Sequence, residues 1–214
     1  MRKKWIISGV LLVAVGLVAV LLILSLRQGV QQDAILPGDN PYAAIEAEYD
    51  QMQRKGQWQQ IVESSRQQPT QSLACQKVAL LALWRMGKGS PRQLEACLAD
   101  SRDVLSSETA ALMMSDVYVQ LGVVSMAQRA AFEALVTTHN DRTRLRALRR
   151  LAECAIITRQ QDLARKYLFI IEQEYADSRA WAQSMRPLVT APTLPGNMQT
   201  LREYYENAND EFFL

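Results

Sequence analysis

In the stretch DRTRLRALRR, residues 141–150, arginine recurs at helical spacing. Arg142, Arg146, Arg149 and Arg150 fall opposite an apolar stripe of Leu145, Leu148 and Leu151, so a helix here gathers guanidinium groups on one side. Guanidinium is a planar fork of donors that matches a carboxylate or a phosphate, so one chemistry open to this face is anion recognition. The other is a solvated face whose charges pair with Glu153 and with acids of a neighbouring helix. The rest of the chain offers little reactive chemistry. His139 is the only histidine and falls in a turn before Asp141, with no serine–aspartate partnership to build on. No His, Cys and carboxylate cluster has metal-ligand spacing, and the nine glycines are scattered at turns rather than gathered in a phosphate loop. Asp100 with Asp103, and Asp210 with Glu211, read as solvated or helix-capping pairs. The sequence therefore offers no candidate catalytic residue, metal site or cofactor site.

The elements that would position this face begin after an apolar run. From Trp5 to Leu26 the chain has no charged residue. As a helix that run extends about 33 Å, enough to cross a ~30 Å hydrocarbon core and longer than the apolar part of a cleavable signal. Arg2, Lys3 and Lys4 precede it and only Arg27 follows before Asp33 and Asp39. The positive-inside rule then places the N-terminus in the cytoplasm and the rest in the periplasm, as a single-pass inner-membrane protein. Without those four flanking charges, 20 basic residues face 22 acidic ones, which leaves no basic excess for nucleic acid. The expected layout is an anchor over 1–26, a linker over 27–40, a helical domain over 41–186, and a proline-containing tail over 187–214 with a short C-terminal helix. Cys75, Cys97 and Cys154 read as small buried hydrophobes, with a Cys75–Cys97 disulfide as the alternative. Trp5 suits a membrane interface, and Trp58, Trp84 and Trp181 suit packing between helices.

Between Asn40-Pro41 and Arg186 the pattern is helical throughout, with further starts at Ser90-Pro91 and Asn140-Asp141. Aligning each turn residue with the residue five positions on pairs Gly56 with Ile61, Gly89 with Leu94, Gly122 with Ala127 and Arg159 with Ala164. The intervals are roughly 33 to 37 residues, close to the ~34-residue tetratricopeptide period. Glycine at such a turn frees the backbone, while Ala127 and Ala134 let the second helix approach its partner closely.

Over about residues 42–178 the chain resembles the tetratricopeptide repeat family. Tyr118, Gly122, Ala127 and Ala134 carry the likeness in the third unit, and Leu151, Ala152 and Ala164 in the fourth; His139 and Ala176 stand where a unit-ending proline is common. The resemblance implies an all-α, right-handed array of about four helix pairs, whose first helices line a groove that holds extended peptides. Setting Leu151 at the family's leucine position puts Arg146, Arg149, Arg150 and Glu153 on the groove side, with Met113, Asp116 and Gln120 from the preceding unit. Residues 145–173, LRALRRLAECAIITRQQDLARKYLFIIEQ, also resemble the helical-repeat part of uncharacterised membrane proteins of the Bacteroidetes.

The function expected on these grounds is a non-catalytic, membrane-anchored scaffold that binds a protein or peptide bearing an acidic or C-terminal carboxylate group. The alternatives are a permanent accessory subunit of a membrane complex, which would expose a large apolar face, and a glycan-binding or glycan-processing helical protein, which would enclose a carboxylate-lined pocket. The terminal NDEFFL either caps the array or docks elsewhere.

Overall fold

The computed structural model describes residues 40–93, 95 and 105–212, with side chains to Asn207. Pro41–Leu214 form one compact unit. Every described element is helical: α1 Ala43–Arg54, α2 Trp58–Gln67, α3 Leu73–Arg85, α4 Glu108–Gln120, α5 Val124–Thr137, α6 Asp141–Ile157, α7 Gln161–Glu174, α8 Arg179–Met185 and α9 Asn197–Phe212, with single 3-10 turns at Ala176–Ser178 and Arg186–Val189. Among the described residues no helix is long and apolar enough to cross a membrane. The expected span, residues 5–26, and the linker up to residue 39 lie outside them.

Three helix pairs, α1/α2, α4/α5 and α6/α7, close with the same turn. In the first, Gly56 N–H donates to Gln53 O and Gln57 N–H reaches back to Met52 O. Gly122 and Val123 repeat this on Val119 and Tyr118, and Arg159 and Gln160 repeat it on Ile156 and Ala155. This pair of bonds satisfies two carbonyls left over at the helix end, and it demands a left-handed residue at the turn. That residue is Gly56 at φ +66°, Gly122 at +80° and Arg159 at +58°. After α3 the same two bonds run from Gly87 to Trp84 O and from Lys88 to Leu83 O. The left-handed residue there is Gly87, at φ +69°, and not Gly89, so the sequence alignment of that unit shifts by two. Gly89 is held close for a different reason, since a Cβ on it would meet Trp84 backbone nitrogen at 2.9 Å.

Helix starts follow from their caps. Asn140 accepts from the N–H groups of Arg142 and Thr143, as its type predicts. Ser90 and Gln93 exchange reciprocal bonds, the Ser90 N–H to Gln93 Oε1 and the Gln93 N–H to Ser90 Oγ, forming a capping box. At the first helix the expectation moves: α1 starts at Ala43 with Tyr42 at the cap position and no side-chain capping bond.

A buried carboxylate joins three of these starts. Glu46, on α1, is fully buried and accepts from Ser72 Oγ at 2.8 Å and from Ser107 Oγ at 2.7 Å. Those serines are the N-caps of α3 and α4, where the unpaired N–H groups and the helix dipole both favour negative charge. One side chain therefore ties α1 to two helix N-termini.

Small residues set the spacing of α4 and α5. Ala127 and Ala134 are fully buried, and Ser115 on α4 donates to the Ala127 carbonyl at 2.8 Å. Ala127→Leu is expected to overpack this contact and cost ~1–3 kcal/mol. Gln128→Leu, the next position round, loses one bond to Gln160 Oε1 and should cost under about 1 kcal/mol. Thermal unfolding of the two variants checks the difference.

The tail packs back on the pairs. α9 sets Tyr204 against Gly122 and Glu206 against Arg159, so it lies by two of the intrapair turns. Arg202, only 1% exposed, donates to Ile156 O and Ile157 O at the end of α6 and to Ala191 O and Pro192 O in the preceding loop. Residues 197–207 therefore pack against the end of α6 and two helix-pair turns, and the side chains of the NDEFFL end lie outside the described set. Upstream, Glu172 takes a two-pronged ion pair from Arg186. Arg186 holds this carboxyl below its ordinary value, against a smaller push upward from burial. The lower value belongs to the folded state, so the pair stabilises above the ordinary carboxylate range and is lost as pH falls through the folded value. The melting-temperature gap between the native chain and Glu172→Gln should therefore narrow on acidification.

Candidate functional site

The arginine face of α6 is crossed by a continuous chain of ion pairs. Arg54 Nε contacts Asp50 Oδ2 at 3.0 Å on α1, and Asp50 Oδ1 contacts Arg146 Nη1 on α6 at 2.6 Å. Arg146 Nη2 goes on to Asp116 Oδ2 on α4, Asp116 Oδ1 takes Arg150 Nη2 at 2.6 Å, and Arg150 Nη1 ends on Glu153 Oε2 at 2.8 Å. Three guanidiniums and three carboxylates alternate, so the chain is neutral as a whole. Asp50 and Asp116 are largely buried, at 9% and 15% side-chain exposure, where pairing is needed to offset lost hydration. Burial raises the Glu153 carboxyl above its ordinary value, although Arg150 pulls it down. For Arg150 burial works against the charge, but Glu153 and Asp116 outweigh it and the net shift is upward.

Arg149 is held differently. Its guanidinium lies over the Trp181 ring, 4.9 Å from the centroid, and Nη2 donates to Ser178 Oγ at 2.9 Å. Its Nε is buried with no hydrogen-bond acceptor. Among the described residues no carboxylate lies within ion-pair distance of it. The sequence-predicted set thus divides. Asp116, Arg146, Arg150 and Glu153 come together in the ion-pair chain, and Arg149 sits beside it. Met113 is fully buried in the hydrophobic core and Gln120 is exposed at the last residue of α4, so neither joins the cluster. Both lie on α4 with Asp116, but Met113 points into the packing between helices.

Four participants are not among the site residues read from sequence. Asp50 and Arg54 come from α1, and Ser178 and Trp181 from the segment after α7. Asp50 lies 96 residues before Arg146, and no local spacing signals that partnership. Trp181 was expected in packing, and it does pack, against a charge. Trp58 is similar, with Arg85 5.8 Å from its ring centroid, whereas Trp84 is 40% exposed rather than buried. His139 is an exposed loop residue. Cys75 and Cys154 are buried free thiols, each pushed by burial up to about 12, while Cys97 lies outside the described residues. No group of His, Cys, Asp and Glu among the described residues is arranged to hold a metal ion.

Fold and site together define an all-α protein of helix pairs with one charge-bridged face. The family model "Family of unknown function (DUF6057)" matches residues 2–214, and the chain belongs to that family. No curated protein and no solved structure matches it.

Proposed function

We propose that the chain is a non-catalytic scaffold, a tetratricopeptide-like right-handed array held at the inner membrane by residues 5–26, that binds a protein or peptide on its periplasmic side. The repeat reading is supported by left-handed turn residues at 56, 87, 122 and 159, whose spacing of roughly 31 to 37 residues brackets the ~34-residue period. Stacked helix pairs offer broad surfaces without reactive groups.

The observation that carries the binding reading is Arg149. The neighbouring Arg146 and Arg150 are paired with Asp50, Asp116 and Glu153, whereas Arg149, partly buried beside them, has no carboxylate within ion-pair distance among the described residues. Trp181 fixes the guanidinium plane, and of its five N–H donors one is spent on Ser178. A carboxylate supplied by a partner adds the opposite charge and accepts from the Nη groups, which unlike Nε are not closed off. Arg146 and Arg150 support the face as struts rather than as ligand contacts.

The test is selection of random peptides displayed with free carboxyl ends against the full-length chain in detergent. Enrichment of Asp, Glu or the terminal carboxylate is expected, weakening with salt and falling about tenfold or more in Arg149→Ala. No enrichment, or the same enrichment in Arg149→Ala, would contradict the reading.

A further inference from the structure

The second helices of the last two pairs carry a repeated outward signature. Counted from their turn residues, Phe132 on α5 and Phe169 on α7 hold the same position, and so do the basic residues three places before each, Arg129 and Lys166. All four are exposed, the phenylalanines at 49% and 56%. Val136, one turn after Phe132, and Leu163, near the start of α7, are exposed as well, at 57% and 39%. α5 and α7 both pack on α6. The Gln128 Nε2 to Gln160 Oε1 bond, at 3.0 Å, brings the middle of α5 beside the start of α7. Short links and tight turns make successive helices antiparallel, so α5 and α7 run the same way and show corresponding faces. The corresponding position in the first pair is Arg66, so the signature belongs to the last two pairs.

Isolated exposed apolar residues need no explanation, but a basic residue and an aromatic repeated in register on neighbouring helices form an amphipathic surface. We propose that this face rests on a bilayer containing anionic phospholipid, with Phe132, Val136 and Phe169 entering the headgroup region and Arg129 and Lys166 meeting the lipid phosphates. Exposed aromatic groups settle at the membrane–water boundary, and each nearby cation adds attraction to an anionic surface. The inference rests on the membrane-tether reading. A chain anchored through residues 5–26 with a linker over 27–40 meets the bilayer at high effective concentration, so weak individual contacts suffice.

The experiment places the photoreactive amino acid p-benzoylphenylalanine at 132 or 169, and at the exposed Gln60 as a control, in the full chain. The protein is reconstituted into vesicles of phosphatidylcholine alone or of an equimolar mixture with phosphatidylglycerol. Carbonate extraction first reports whether the chain is embedded; a chain released by carbonate overturns the tether reading and this inference with it. With the chain embedded, phospholipid adducts are expected at 132 and 169 and not at 60. They should be several-fold more abundant in the mixed vesicles, and should fall roughly fivefold or more in Arg129→Glu/Lys166→Glu. Absence of lipid adducts at 132 and 169, equal labelling at 60, or protein adducts in place of lipid ones in native membranes would overturn the surface while leaving the tether intact. Circular dichroism of the charge-reversed chain checks that its helices persist.

Discussion

Arg202→Ala is expected to remove about 3–5 kcal/mol of stability, the largest effect of any single substitution outside the apolar core. The side chain is almost wholly buried and serves four backbone carbonyls. Two of these, Ile156 O and Ile157 O, are end-of-helix acceptors of α6, where the dipole favours a cation. Burial, with Arg159 adding like charge, holds the Arg202 pKa below its ordinary value, yet an arginine stays charged at neutral pH. Truncation removes the side-chain donor from Ile157 O, Ala191 O and Pro192 O and leaves Ile156 O only its 3.3 Å bond from Arg159 N–H, in a site that water does not readily reach. Arg202→Met restores volume but no donors, so it should recover only a minor part of the loss. Denaturant unfolding of the two variants separates the contributions; near-native stability in Arg202→Met would show that packing, not hydrogen bonding, is what α9 supplies.

Glu46→Ala is the second large effect, expected at about 2–4 kcal/mol. The carboxylate accepts hydroxyl bonds from the N-cap serines of α3 and α4 and is fully buried. Its removal leaves Ser72 and Ser107 still able to cap their own helices, through Cys75 N–H and Ala110 N–H, but unties those helices from α1. Glu46→Gln preserves shape and one acceptor and should cost less than the alanine. Equal losses in both would mean that the charge itself, against two helix N-termini, provides the stabilisation. Local hydrogen exchange at residues 73–76 and 108–111 should rise in either variant.

The helix pairs were legible because their turns need one residue in a left-handed conformation, and glycine marks that need. Gly56 and Gly122 signalled it directly. Gly87 and Gly89 both stand after α3, and only the backbone angles distinguish the turn residue from the one packed on Trp84. Arg159 was placed by spacing alone, since its side chain disguises the same conformation. Asn140 and Ser90 were readable as caps because their bonds reach only two or three residues. The site was half legible for a related reason. Helical spacing put Arg146, Arg149, Arg150 and Glu153 on one side of α6, but their partners come from distant segments. Asp50 reaches Arg146 through the packing of α1 against α4 and of α4 against α6, which no local pattern encodes. Arg202 was invisible in LREYYENAND, where an arginine among glutamates reads as solvated surface. What distinguishes it is the end of α6 waiting above it.

The central claim, that Arg149 captures a partner's carboxylate, is tested most directly in the native membrane. A photoreactive residue at Gln120, an exposed position at the end of α4, would be crosslinked in cells carrying the full chain and the adduct identified by mass spectrometry. The account predicts a discrete protein or peptide adduct that disappears in Arg149→Ala and persists in Arg142→Ala. No adduct, or an adduct indifferent to Arg149, would contradict it.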